Sequence, residues 1–278
     1  MRPASIVRRA ADYLSRHDVE SPLPTAEILL ANVLGIDRAS VYTRTEGLSS
    51  PEARRFGRAL CQRCVGVPLQ YLTGEQGFRR IDVIVKPGVF IPRPETEILV
   101  ERALDLVADV SEPWIVDVGT GTGAIALAVK DERPDAHVLA IELSREAVAL
   151  ARENARRSGL DIEVVEGDLL GPLPEALRGV VSLVVSNPPY VEPHELAGLP
   201  REVRAEPVSA LAGGIEVYER LFAQASRVLE PGGAIAVEIG ETQGSAVAAA
   251  AAAAAFVTIE VHPDLAGRDR IVVARMPT

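Results

Sequence analysis

The sequence predicts an α/β fold, a mostly parallel sheet with helices on both faces, preceded by a small all-helical N-terminal domain. Three observations predict it. From about residue 96, short runs of strand-forming residues alternate with helical stretches, the pattern of a parallel sheet covered on both sides. A glycine-rich turn, "VDVGTGTGAIALAV", joins the first of these runs to a helix. Residues 1–70, by contrast, show apolar positions at helical spacing and no convincing strand. A chain of 278 residues is ample for a large domain and a small one, each with a core.

Taken in order, "SIVRRAADYLSRH" and "TAEILLANVLG" have one apolar face each, and Pro22, Pro24 and Gly35 punctuate them. Four or so short helices over residues 1–71 make a bundle. In "LTGEQGFRRIDVIVKPGVFIPRPE", residues 72–95, β-branched and aromatic residues separated by Gly and Pro predict a hairpin linker. Residues 96–278 then hold seven strands: "WIVDVG", "HVLAIEL", "IEVVEG", "SLVVSN", "AIAVEIG", "VTIEVH" and "RIVVAR". Helices fall between them, for instance over 144–158 and 216–229. The alanine run 248–255 is explained by helix propensity alone.

With 47% apolar and 24% charged residues, the composition is that of a soluble globular protein. No apolar run reaches the roughly 18 residues of a membrane helix, and "MRPASIVRRAADYL" lacks a signal-peptide core, so a cytoplasmic protein is expected. Cys61 and Cys64 lack the second pair, or the nearby histidines, that a zinc site needs; they read as incidental thiols, and no metal is expected. Charge is uneven: residues 1–80 carry 12 arginines against 8 acids, a net +4, and the rest carries 17 basic against 31 acidic residues, a net −14. An acidic body is a poor general surface for a phosphate backbone. The basic N-terminal part is a candidate docking surface for something acidic, or simply a solvated helical face.

Gly119, Gly121 and Gly123, with Thr120 and Thr122 between them, allow a ligand to approach the backbone at a helix N-terminus. Gly119-x-Gly121-x-x-Ala124 also fits a dinucleotide fingerprint, which is weak alone. Asp117 decides between the readings: a carboxylate there repels a pyrophosphate and attracts the ammonium of S-adenosylmethionine. Glu142, closing the second strand, is placed to accept both ribose hydroxyls. Asp168, at the end of the third strand, is a candidate for the adenine amino group.

The fourth strand runs into "SNPPYV". Two successive prolines restrict Asn187 and Pro188 and leave Tyr190 at the exit of a stiff loop, which is either a rigid connection or a functional clamp. A planar –NH2 group is a poor nucleophile because its lone pair is delocalised. The Asn187 side-chain oxygen and the Pro188 carbonyl can each accept one of its N–H bonds and so orient it, Pro189 stiffens the loop, and the Tyr190 ring can pack on the planar group. Two targets suit such a clamp, an exocyclic base amine or a glutamine side-chain amide. A base within a duplex would have to be flipped out by an enzyme with a nucleic-acid-gripping region.

Beyond these motifs, the chain carries "SPLPTAEILLANVLG", "GVPLQYLTGEQGF", "VFIPRPETEILV", "EPVSALAGG", "VEIGETQG" and "DLAGRDRIVVAR". Over nearly its whole length it resembles the protein-(glutamine-N5) methyltransferases that modify peptide chain release factors, the HemK/PrmC family. The resemblance implies a Rossmann-like, seven-stranded class I methyltransferase domain joined by a β-hairpin to a helical, substrate-docking bundle. It implies S-adenosylmethionine as cofactor, contacted by residues 119–123 and Glu142; Asp117, Asp168, Leu169 and Asn187 are the further candidates for that site. It implies that Asn187, Pro188, Pro189 and Tyr190 grip the glutamine amide, that Phe90 walls the substrate channel, and that the partner is a release factor. Glu142 stands where many members have Asp, and Leu169 where some have Trp. "IPRPETE" also reads as a proline-fixed helix start, with Glu95 or Thr96 near the N-cap.

Three other functions are weighed against this one: methylation of a ribosomal-protein glutamine, N6-adenine methylation of nucleic acid, and a non-catalytic cofactor-binding module. The intact Asn-Pro-Pro-Tyr speaks against the last. A monomer, without membrane or stable nucleic-acid binding, is expected.

Overall fold

A computed structural model describes residues 2–278. The chain forms two compact units, one holding the residues up to Glu75 together with Leu199–Ala205, the other Gln76–Gly198 together with Glu206–Thr278. Residues 199–205 thus lie outside the contiguous division read from the sequence.

The first unit contains α1 (Pro3–Ser15), α2 (Pro22–Leu34), α3 (Ser40–Thr43), α4 (Ser50–Cys64) and α5 (Leu69–Thr73). Val7, Leu14, Leu29, Leu30, Val41 and Phe56 form its core. A capping box starts α4: the Glu52 N–H donates to Ser49 Oγ at 3.4 Å, and the Ser49 N–H to Glu52 Oε2 at 2.6 Å. Such a cap is worth about 1 kcal/mol. Arg63, buried on α4, pairs with Glu202 and donates to the Val67 carbonyl, which accounts for the membership of residues 199–205. Cys61 is exposed and Cys64 half-buried, both as free thiols.

The second unit takes up the hairpin from the second residue of β1 (Glu75–Phe78) and continues through β2 (Ile81–Ile84), α6 (Thr96–Leu106), β3 (Trp114–Val118), α7 (Ala124–Glu132), β4 (His137–Glu142) and α8 (Arg145–Ser158). Then come β5 (Glu163–Glu166), β6 (Val181–Ser186), α9 (Val208–Leu211), α10 (Ile215–Ala225), β7 (Leu229–Glu238), α11 (Gly244–Ala253), β8 (Val257–Pro263) and β9 (Asp269–Arg275). The seven-stranded sheet has the order β5-β4-β3-β6-β7-β9-β8, with β9 antiparallel to both neighbours and the other pairs parallel. All six residues of β6 are buried, as expected of a parallel strand covered on both faces. The hairpin is held by Asn154 of α8, which accepts the Ile84 N–H at 2.8 Å and donates to the carbonyls of Ile84 and Thr122.

Two expected boundaries move. The junction read between residues 71 and 72 falls inside α5, and the first unit continues to Glu75. The helix read over 216–229 ends at Ala225, because the sheet takes the following residues. The Val228 carbonyl accepts N–H bonds from Gly179 and Val181, and Leu229 pairs with Val181. Among the described residues, no helix is long and apolar enough to cross a membrane, and no group of three or more His, Cys, Asp or Glu is placed to hold a metal ion.

Candidate active site

The chain leaves β3 for β4 on one side, while β6 lies on the other, so β3 and β6 flank the switch point where α/β sheets bind ligands. Register sets the next row. Val118 pairs with Ser186 and Ser186 with Val237, so Gly119, Asn187 and Glu238 follow one another across three adjacent strand ends.

On the β3–β4 side, Asp117 is fully buried. Its Oδ2 accepts the Thr120 hydroxyl at 2.5 Å and the Ala126 N–H at 3.1 Å, while its Oδ1 is buried without a partner. Burial pushes the carboxyl up to about 7, against the pull of the Thr120 and Ala126 hydrogen bonds, and the charge of Glu142 adds to the rise. Gly119 and Gly121 take φ of +73° and +56°, and a Cβ on either would meet nothing within 4 Å. The loop is therefore left-handed and open on the side where a side chain would stand. Glu142, half-buried, accepts the Gly121 N–H and the Ser144 N–H, both at 2.8 Å, which ties the loop to the end of β4 and the start of α8.

These residues fit S-adenosylmethionine. An orphaned, buried carboxylate oxygen on Asp117 calls for a cationic donor. Glu142 keeps lone pairs for ribose hydroxyls, and the Gly119–Gly123 loop, whose Thr120 and Thr122 side chains are buried, offers backbone at close range.

Asp168 is placed differently. It lies two residues past β5, is exposed, and pairs through Oδ2 with Arg220, leaving one oxygen for any adenine contact. Leu169 has φ +49° and packs against the sheet core, and the Leu170 N–H donates to Gln224 Oε1 at 2.9 Å.

On the β6 side, Pro188 is buried and Asn187, Pro189 and Tyr190 are half-buried. Asn187 Nδ2 donates to the Thr96 hydroxyl at 3.1 Å, and that hydroxyl donates to Glu238 Oε2 at 2.7 Å. The loop exit is pinned by Gln243, whose Nε2 donates to the Tyr190 carbonyl at 3.0 Å, and by Val191, which exchanges N–H bonds with Leu211 and Gly213. Burial and the charge of Glu238 push the Tyr190 hydroxyl up to about 12, so it is neither an acid nor a base near neutrality. Phe90, half-buried, has the Arg93 guanidinium 4.9 Å from its ring centroid. Arg93 pairs with the buried Glu206, which also accepts the Ile91 N–H at 3.0 Å.

The structure brings the loop, Glu142 and the tetrapeptide, all singled out from the sequence, to neighbouring strand ends; the residues that hold the tetrapeptide, Thr96, Glu238, Gln243 and Gly213, were not singled out for that role. Thr96 enters the sequence reading only as a possible N-cap. The cap position is Glu95, which makes no side-chain cap bond, and Thr96 is the first helical residue, turned to Glu238. The available signal was the set of motifs "VEIGETQG" and "EPVSALAGG", which carry the other three.

Comparison with known proteins bears on the family of the chain. The Methyltransferase small domain family matches residues 80–202, and the PrmC N-terminal domain family matches residues 5–74. The chain is 42% identical over 273 residues to a release factor glutamine methyltransferase of Moorella thermoacetica, covering 95% of each chain. To that of Deinococcus radiodurans it is 41% identical over 279 residues, covering 99% of each. Among solved structures, the hMettl16 catalytic domain, in complex with MAT2A 3'UTR hairpin 6, shares the fold at a TM-score of 0.57 and 16% identity, over 82% of each chain. Identity at this level along the whole length, with a methyltransferase sheet behind a matching N-terminal domain, leads to one conclusion: the chain belongs to the release factor glutamine methyltransferase family.

Proposed function

We infer that the protein methylates the side-chain amide nitrogen of the glutamine in the Gly-Gly-Gln loop of peptide chain release factors, with S-adenosylmethionine as methyl donor. The observation that carries the reading is the fixed Asn187 amide. Its nitrogen is already engaged by Thr96, so its oxygen is the end left to accept an N–H from substrate.

Asp117 and Glu142 would hold the cofactor through its ammonium and its ribose, and the Gly119–Gly123 loop would lie along it. When bound, S-adenosylmethionine supplies a methyl carbon activated by a positively charged sulfur, which departs as a neutral thioether. Asn187 Oδ1 and the Pro188 carbonyl each accept one N–H of the target amide, which aims the nitrogen lone pair. The prolines keep both acceptors still, and Tyr190 packs on the amide plane. Orientation of this kind supplies up to about 7–11 kcal/mol of a barrier. The alkylated nitrogen is strongly acidic and loses one of its two protons to solvent, so no dedicated base is required.

Phe90, fixed by Arg93 and Glu206, walls the channel in this reading. The helical bundle of residues 1–71 serves as the docking surface, on the strength of the net +4 over residues 1–80. Action as a monomer in the cytoplasm, where release factors work, belongs to the same reading. The test is incubation with radiolabelled S-adenosylmethionine and a lysate of methylation-deficient cells. A labelled band at the mass of a release factor supports the reading; label in nucleic acid or in a ribosomal protein rejects it.

A further inference from the structure

The Asn187 amide has two ends of opposite hydrogen-bonding sense, and only the oxygen serves an incoming –NH2 group. What decides which end faces the substrate lies behind it. Thr96 and Glu238 are 3% and 1% exposed, so neither exchanges its partner for water. A hydroxyl has one proton, and an ionised carboxylate can only accept. Thr96 must therefore give its proton to Glu238 Oε2, 2.7 Å away, and can turn only lone pairs toward Asn187. Asn187 must answer with its N–H, as the 3.1 Å contact from Nδ2 shows, and Oδ1 is left for the substrate. The three residues come from α6, the end of β6 and the end of β7, and the paired ends of β6 and β7 fix their spacing.

We propose that Thr96 and Glu238 are positioning residues that set the orientation of the Asn187 amide and thereby present its oxygen to the target –NH2. The proposal rests on the clamp reading of Asn187 given above. A mere structural bridge between β7 and α6 would affect stability only. A relay that sets orientation also makes the rate depend on the ionisation of Glu238. Once protonated, Glu238 can donate to Thr96, which frees Thr96 to donate to Asn187 Oδ1. The amide then turns its Nδ2 toward the substrate, donor against donor.

The surroundings place that change near neutrality. Burial pushes the Glu238 carboxyl up to about 7; the Thr96 hydroxyl, the charge of Arg270 and the Tyr190 hydroxyl pull it down, and the charge of Glu95 adds to the rise. Tyr218, also fully buried, donates to the Glu238 backbone carbonyl at 2.9 Å. Asp117 titrates in the same range, but it belongs to the cofactor side, so kcat is read at saturating S-adenosylmethionine.

The experiment compares Thr96→Val, Thr96→Ser, Glu238→Gln and Asn187→Ala with the unaltered enzyme on intact release factor between about pH 5.5 and 9. Calorimetry of cofactor binding and melting curves run alongside. The proposal expects kcat of the unaltered enzyme to rise through about pH 7. Thr96→Val should lower kcat by about tenfold to a hundredfold and lose that rise, with cofactor affinity kept within about threefold. Thr96→Ser should recover most of the rate and the pH dependence. Glu238→Gln, which keeps the shape and does not titrate, should lose the pH dependence even if Thr96→Val fails to fold. A normal kcat in Thr96→Val, or an unchanged pH limb in Glu238→Gln, overturns the relay. If Asn187→Ala is inactive while Thr96→Val is normal, the relay alone falls. If Asn187→Ala transfers methyl groups at the normal rate, the clamp reading falls and takes the relay with it.

Discussion

A Cβ on Gly213 would stand 1.9 Å from the carbonyl oxygen of Pro189, and 2.7 Å from its carbonyl carbon. The backbone between α9 and α10 therefore lies directly against the tetrapeptide, closer than any side chain permits. Gly213→Ala forces the Pro189 peptide to shift, and with it Pro188 and Tyr190. Overpacking of this sort costs about 1–3 kcal/mol of stability, and misplacing the acceptors should lower kcat about a hundredfold. Steady-state kinetics beside a melting curve checks it. A variant that folds and retains the normal kcat would show that the loop tolerates displacement and is no clamp.

Asn187→Ala and Glu142→Ala should fail in opposite ways. Removing the Asn187 acceptor at the reacting centre should cost on the order of 3 kcal/mol, about a hundredfold in kcat, with cofactor affinity nearly intact. Removing Glu142 takes away the proposed ribose acceptor and frees the Gly121 N–H, so cofactor affinity should fall while kcat recovers at saturating cofactor. Calorimetry and saturation kinetics separate the two. Loss of cofactor binding in Asn187→Ala, or a low plateau rate with normal affinity in Glu142→Ala, would exchange their roles.

Asp117 should make the protein less stable as pH rises. Its folded carboxyl stands at about 7, above an ordinary 3.8, because burial disfavours the charge. A group raised in this way contributes stability that is fully present below its unfolded value and is lost as pH climbs through the folded one. Asp117→Asn does not titrate, so its melting temperature relative to the unaltered protein should increase between about pH 4 and 7 and level off above. The comparison cancels Glu238, which is present in both. A difference that stays flat across this range would mean that Asp117 is ionised without penalty in the free protein. The same substitution should weaken cofactor binding, since the orphaned Oδ1 is the proposed partner of the ammonium.

Much of this was legible in the sequence because the signals are local. All seven strands of the large sheet were read, since alternation with helices needs only neighbouring residues to be seen. The glycine loop and the tetrapeptide were likewise visible as short segments whose backbone chemistry is constrained by Gly and Pro. What escaped depends on residues far apart in the chain. Thr96 lies 91 residues from Asn187 and 142 from Glu238, and no periodicity announces that a threonine at a helix start will meet a glutamate at a strand end. Asp168 shows the reverse problem. Its position after a strand suggested a cofactor contact, and Arg220 of α10, 52 residues further on, engages it in an ion pair. The end of α10 was overrun because Val228 and Leu229 have no local reason to leave a helix; pairing with β6 decides them.

On the proposed reading the site takes a neutral –NH2 group, and changing that group on the substrate tests it without altering the enzyme. Asn187 Oδ1 and the Pro188 carbonyl are both acceptors, so a carboxylate in the same place has no N–H to offer and brings a negative charge against two carbonyl dipoles. Unpaired buried acceptors cost about 1–3 kcal/mol each, and sites built on such hydrogen bonds discriminate by about 10⁴-fold or more. The measurement is mass spectrometry of a release factor, unaltered or with the Gly-Gly-Gln glutamine changed to glutamate, after incubation with the enzyme and S-adenosylmethionine. One added methyl group, about 14 Da, is expected on that glutamine and none on the glutamate variant. Methylation of the glutamate, of any other residue, or of adenine in a parallel DNA reaction would contradict the reading.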